Sequence, residues 1–309
     1  MVDSDSSLHG IRIVTEAMAR LMALAHAADA NRIEVDAERA LRELLAATAR
    51  AEQDGLPLAL LRELTEEVRT FCRRSVLLAH AQDWPRGYPG DFELIERLLD
   101  AEATGEIGSL ERALDQVTLK LPIVDQHRNK VRWQAELVRA RLPGELKVLS
   151  IACGGSRDLM LIDPDLLECV DLVLSDLDAD ALALSERRLR PRVRRLSSIH
   201  GNVLRRVNRL KAQGPFDVIL VGGLLDYLPD RFASRLLVHA IAMLAPGGIL
   251  GATNIALGNP YRHMLELITN WPLIERDASS MSALFGAHAG SVTLTRDHTD
   301  LTWLATLGV

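Results

Sequence analysis

Cysteine is scarce in this 309-residue chain, which has three, at Cys72, Cys153 and Cys169. An odd, sparse set without a CxxC pair makes neither a disulfide framework nor a zinc site, and it points to a reducing compartment. Aromatic residues are 4% of the chain, too few to build a stacking platform for bases. The formal net charge is −6, whereas phosphate backbones call for a basic surface, so nucleic acid is excluded as the main partner. No apolar run approaches the roughly 18 residues of a membrane helix. The opening "MVDSDSSLHG" is acidic and polar, unlike a secretory leader. A cytoplasmic protein with no membrane partner is the expectation.

What is present is an ordinary globular composition, 48% hydrophobic and 25% charged. The length allows one large domain or two ordinary ones. Two grammars divide it. "IRIVTEAMARLMALAHAA", "AERALRELLAATARAEQ", "PLALLRELTEEVRTFCRRSVLLAHAQ", "FELIERLLDAEA", "LERALDQVTLKL" and "HRNKVRWQAELVRARL" all place apolar residues at three-to-four spacing, the helical period. Pro143 and Gly144 then stop the last helix, and a short buried strand follows. From there strands ("DLVLSDLD", "SSIHGNV", "FDVILVGGLLDYL", "ILGATNIA") alternate with helices ("ADALALSERRLR", "RLLVHAIAMLAPGG"). The tail offers "SVTLTRD" and "LTWLATLG" as a hairpin. The pattern predicts an α/β doubly wound, mostly parallel sheet over 146–309, preceded by an all-α region over 1–145.

Ligands of such sheets bind beyond the carboxyl ends of the strands. The turn after the first strand reads Ala152-Cys153-Gly154-Gly155-Ser156-Arg157-Asp158. Its small residues let a backbone approach a ligand, but the GxGxxG fingerprint is absent, which disfavours NAD. Asp176 ends the second strand about 20 residues beyond Gly154, where a carboxylate grips a ribose diol. The third strand ends at Asn202 and Val203, the fourth at Gly222 and Gly223, with Asp226 and Tyr227 just after, and "LAPGG" precedes the fifth.

This ordered set resembles the class I S-adenosylmethionine-dependent methyltransferases, with Ala152 and Ser156 where many members carry glycine and Asn202 where many carry aspartate. "RGYPGDFELIERL" and "NPYRHMLELITNWPLIERD" are similar to a bacterial subgroup of that family. It includes extracellular-factor-type 3-hydroxypalmitate methyl ester synthases and natural-product enzymes that methylate α-keto acids or indoles at carbon. The resemblance implies a Rossmann-like class I methyltransferase sheet with an antiparallel last strand, and S-adenosylmethionine as cofactor. Cofactor contacts are expected from Tyr88, Ala152, Cys153, Gly154, Asp158, Asp176, Leu177, Asn202, Val203, Gly222 and Gly223.

The helical region then reads as a cap over the acceptor, or as a dimerisation surface making a homodimer. "DWPRGYPGD" is a costly loop for a mere connection, so Trp84 and Arg86 are expected to touch substrate, with Asp91 as an alternative helix cap. Arg128, Tyr227, Tyr261 and Arg262 are the other expected substrate contacts. An acceptor carboxylate needs no base, only an arginine to hold it, while a hydroxyl or enolisable ketone needs a proton acceptor. Tyr88, His127, Asp226 and His263 are the candidates for that chemistry. His127 and Arg128 also read as a solvated helix face, and the arginines of 187–195 as a solvated helix end. Asp226 and Asn254 are too thin a set for a metal. The function expected is methylation, at carbon or oxygen, of a small molecule such as an indole, an α-keto acid or a hydroxy acid. A 3-hydroxy fatty acid methyl ester synthase for cell–cell signalling, a non-catalytic regulatory protein that binds S-adenosylmethionine, and an aminopropyl transferase stand as alternatives.

Overall fold

Leucine and alanine at helical spacing produce helices throughout the first part of the chain. The computed structural model describes residues 4–27 and 29–309. It contains two compact units, the first Met1–Val124 with Pro260–Pro272, the second Asp125–Asn259 with Leu273–Val309.

The first unit holds α1 (Ser4–Ala27), α2 (Ile33–Gln53), α3 (Leu58–Leu64), α4 (Glu66–Cys72), α5 (Val76–Asp83), α6 (Phe92–Asp100) and α7 (Leu110–Leu119). Val14, Leu21, Leu41, Leu44 and Leu61 are its buried apolar centre, joined by Met264, Leu267 and Ile268 from the returning segment. The periodicity of 57–82 suggests one helix, but the structure makes three. Thr65 turns its hydroxyl back on Leu61 O at 2.8 Å. Ser75 leaves the helical region, at φ −73° and ψ 128°, to accept from Leu78 N, and its own hydroxyl donates to buried Asp115. Both side chains compete with the helical backbone for partners, which is why they sit at helix ends.

The second unit takes most of α8 (Pro122–Arg139) and all seven strands. These are β1 (Leu146–Ile151), β2 (Val170–Asp176), β3 (Arg195–His200), β4 (Phe216–Val221), β5 (Leu244–Ile255), β6 (Thr293–Arg296) and β7 (Thr302–Gly308). The connections carry α9 (Arg157–Met160), α10 (Pro164–Leu167), α11 (Ala179–Leu189), α12 (Val203–Lys211), α13 (Asp230–Ile241) and α14 (Ala278–Ala283). The sheet order is β3-β2-β1-β4-β5-β7-β6. β1 to β5 run parallel, and β7 lies antiparallel to both β5 and β6. The near-continuous apolar runs of β1, β2 and β4 follow from burial on both faces. The order reverses between β1 and β4, so the ligand crevice belongs at the carboxyl ends of those two strands.

"LAPGG", read as a helix stop, falls within β5. The ladder skips there, pairing Phe216 with Leu244 and then Val218 with Ile249, because Pro246 has no N–H to donate and Gly247 sits at φ +77°. Further along β5, a methyl group on Gly251 would collide with Leu137 and stand 3.1 Å from the Trp133 ring. Gly251→Ala is therefore expected to lower stability by about 1–3 kcal/mol through overpacking, read as a shift in the urea midpoint. Among the described residues, no helix is long and apolar enough to cross a membrane.

Candidate functional site

Three residues of the β1–α9 turn adopt the left-handed conformation: Ala152 at φ +52°, Gly154 at +50° and Ser156 at +51°. This coiling brings the turn round tightly, and 152–154 remain partly exposed while Gly155 and Ser156 are buried. Only Gly154 adopts that conformation without steric cost. Ser156 is held there, its hydroxyl 3.0 Å from that of Ser185. Ala152 has no such bond among the described contacts. Ala152→Gly is expected to be neutral or stabilising by up to about 1 kcal/mol, the left-handed strain relieved being partly offset by a freer unfolded chain. A thermal melt that falls by several degrees would contradict this.

Asp176, at the tip of β2, closes the turn from the side. Its Oδ2 accepts from Gly154 N and its Oδ1 from Asp178 N, each at 2.9 Å. Burial pushes its carboxyl above the ordinary range, against these two amides. Two backbone bonds fix the carboxylate and still leave lone pairs on both oxygens for a ligand. Leu177 follows immediately, 60% exposed, an apolar ledge at the mouth of the turn.

The other wall comes from α8, from His127, which the sequence offered, and from Lys130 and Gln134, which sequence reasoning missed. His127, Lys130 and Gln134 lie at i, i+3 and i+7, one face of the helix, and each is buried. Gln134 Nε2 donates to Asp158 Oδ2 at 3.0 Å, and its carboxamide fills the space a side chain on Gly222 would need. One residue thus touches both the turn after β1 and the end of β4. Burial raises the Asp158 carboxyl to about 6. Lys130 Nζ lies 4.0 Å from Asp226 Oδ2 and 3.5 Å from where a Cβ on Gly223 would stand. Burial lowers the Lys130 pKa, opposed by Asp226 and Asp297. Burial, then the charges of Lys130 and Arg128, hold His127 well below the usual imidazole range, so it is neutral. The α8 face was detectable in principle. Ile123, His127, Lys130, Gln134 and Val138 keep helical spacing, so the three polar residues stand in the apolar phase.

Residues 149–250 match the family model described as a methyltransferase domain. This is a methyltransferase fold. No curated protein matches the chain by sequence. Among solved structures, a possible exported protein from Bordetella parapertussis is 18% identical, with 99% of this chain and 96% of that one covered at a TM-score of 0.58. Looser likenesses include magnesium protoporphyrin IX methyltransferase from Synechocystis PCC 6803 (12% identical, 69% of this chain and 93% of that one, TM-score 0.46). An N-methyltransferase from Bradyrhizobium japonicum WM9 is 17% identical over 70% of this chain and 97% of its own, at 0.44. At 18% identity the first of these likenesses concerns the fold alone.

Within the methyltransferase fold, the structure brings Ala152, Cys153, Gly154, Asp158, Asp176 and Leu177 together around one turn. Burial, then the charge of Asp176, pushes the Cys153 thiol well above its ordinary value, which favours the protonated form. Asn202 caps α12, accepting from Leu204 N and Arg205 N, with Val203 as the first helical residue. Gly223 N donates to Thr253 Oγ1 at 2.8 Å, tying the end of β4 to β5. Asp226 is buried, its Oδ1 accepting from Ile255 N at 2.6 Å, which makes it a brace between the two strand ends. Tyr227 completes that short turn, which Arg276 clamps by donating to Leu225 O and Leu228 O. Arg128 pairs with Asp125. His127 is buried, so the solvated-face reading does not hold for it.

The remaining expected residues belong to the helical unit. Trp84, at φ +47°, donates its indole N–H to Asn270 O at 3.0 Å. Arg86 stacks 5.3 Å from the Phe92 ring, and Tyr88 is half-buried. Asp91 caps α6 through Leu94 N and lies within 3.0 Å of His80 Nε2. Much of the loop's costly chemistry therefore holds the loop itself. Arg262 and His263 both meet Glu52, at 3.1 Å, and burial depresses the His263 pKa against that carboxylate. Tyr261 packs on the helical core.

Proposed function

We propose that the protein transfers a methyl group from S-adenosylmethionine to a small acceptor. The observation that carries this reading is the Asp176 carboxylate, locked onto the Gly154 amide across an exposed left-handed turn. The sheet's order of 3-2-1-4-5-7-6 and the match over 149–250 support it. The residues fit the group: a carboxylate with spare lone pairs suits a ribose diol, exposed Leu177 suits an adenine face, and a turn without large side chains admits a backbone contact. S-adenosylmethionine, when bound, supplies a methyl group already activated on a sulfonium. What remains for the protein is to align the acceptor and exclude water.

The acceptor we propose is one of the small molecules implied by the resemblance, and two residues at this edge bear on the choice among them. Asp226 spends one oxygen on Ile255 N and faces Lys130 with the other. His127 is neutral and a weak base. An acceptor that ionises unaided suits this edge better than one that must be deprotonated there. Calorimetric titration with S-adenosylhomocysteine tests the reading. Micromolar binding to the full-length protein is expected, followed by turnover of labelled S-adenosylmethionine against keto acids, hydroxy acids and indoles. A wild-type protein that binds no S-adenosylhomocysteine would end it.

A further inference from the structure

We propose that Lys130 holds the carboxylate of the acceptor, so that the substrate is an organic acid. The inference rests on the methyl-transfer reading and specifies its substrate class. Lys130 is 7% exposed, yet among the described contacts its ammonium makes no hydrogen bond. The nearest carboxylate oxygen, Asp226 Oδ2, stands at 4.0 Å, close enough to balance charge and too far to accept a hydrogen bond. The stem of Lys130 is buried while its ammonium is not itself sealed from solvent, so its N–H groups are open to an acceptor that displaces water.

Its position says what that something faces. Gln134, one turn along the same helix face, spans Asp158 and Gly222, and so marks the place where the strand order reverses. Lys130 lies beside Gly223, whose missing side chain leaves the ammonium uncovered from that direction. The neighbouring groups are committed elsewhere. Gln134 donates to Asp158, and His127 is neutral. Arg276, buried in the same unit, is spent on Leu225 O, Leu228 O, Asn254 and Asp230. A carboxylate seated among the Lys130 donors would be desolvated and charge-assisted, the stronger kind of hydrogen bond. The bland alternative is that Lys130 only neutralises Asp226. It predicts no preference among ligands.

The test uses the full-length protein saturated with S-adenosylhomocysteine. Phenylpyruvate, indole-3-pyruvate and 3-hydroxydecanoate are titrated beside their neutral amides by ligand-observed NMR. At least one acid is expected to bind roughly tenfold or more above its amide. Lys130→Arg is expected to keep that preference. The pair Lys130→Gln with Asp226→Asn, which removes both charges and retains an acceptor for Ile255 N, is expected to erase it. S-adenosylhomocysteine affinity unchanged in that pair shows that the variant is folded. The proposal falls if the preference survives in the pair, or if no acid in the set is preferred. It also falls if the pair loses affinity for S-adenosylhomocysteine but not for 5′-methylthioadenosine, since the carboxylate would then be the donor's own. Failure of wild type to bind S-adenosylhomocysteine is a separate result and overturns the methyl-transfer reading first.

Discussion

Asp176→Ala is expected to weaken S-adenosylhomocysteine binding by about 100-fold while the chain stays folded. The estimate comes from the carboxylate's geometry. Its two oxygens are each pinned by one backbone amide, Gly154 N and Asp178 N, so the group is pre-oriented and a ligand diol finds it in place. Hydrogen bonds to a charged acceptor contribute roughly 1.5–3 kcal/mol each, and about 3 kcal/mol is about 100-fold in Kd. The substitution also frees two amides, one of them in the exposed turn where water replaces the lost oxygen, so the cost in stability is about 1–2 kcal/mol. Asp176→Asn separates charge from shape. One amide keeps its acceptor, the other faces an NH2 group, and a loss of roughly tenfold is expected. Calorimetry at matched protein folding, verified by circular dichroism, checks both. An alanine variant with wild-type affinity would remove Asp176 from the site and with it the observation on which the function rests.

Much of this was legible because the methyltransferase sheet is written in short-range signals. The apolar runs of "KVLSIA", "LVLSD" and "VILVGG" are strands in any parallel sheet, and glycines after them mark where the chain must turn tightly. Asp176 was singled out by its distance to Gly154, and the structure joins the two by a hydrogen bond. The misses share a physical cause, which is long-range partnership. Ser75 ends a helix because its hydroxyl finds Asp115, 40 residues away, and no local propensity encodes that. Lys130 and Gln134 sit in "RNKVRWQ", in the apolar phase of α8 but among charged neighbours that mask it. Gln134 is accommodated by Gly222, where a side chain would collide with its carboxamide, and Lys130 by its place opposite Asp226. The costly loop at 83–91 was legible as unusual, and Asp91 as a candidate cap of the next helix. Asp91 and Trp84 turned out to hold it to α6 and to Asn270.

Asp158→Asn is expected to make the protein more stable and a poorer binder of S-adenosylhomocysteine. Burial raises the Asp158 carboxyl from 3.8 to about 6, so the folded state keeps a proton that the unfolded chain releases. The sign follows from linkage. Stability is greatest below the ordinary carboxyl value, falls as pH rises from about 4 to about 6, and stays reduced above that, by about 3 kcal/mol in all. Asparagine removes the charge without removing the contacts. Its Oδ1 accepts from Leu159 N as Asp158 now does, and a flipped Gln134 offers its carbonyl to the new NH2. Urea unfolding at pH 4 and pH 7.5 should therefore show a small difference between variant and wild type at the lower pH and a gain of about 3 kcal/mol at the higher. A gain of equal size at both values would mean that packing, and not charge, is responsible. A buried carboxylate that destabilises its own fold at neutral pH is a candidate for a role that uses the charge. The proposed role is to receive the amino group of the methionyl end of the cofactor. On that reading, the affinity of wild type for S-adenosylhomocysteine rises between pH 5 and 7 as Asp158 ionises, and the affinity of Asp158→Asn does not. A pH-independent affinity in wild type would leave Asp158 as a structural partner of Gln134 and nothing more.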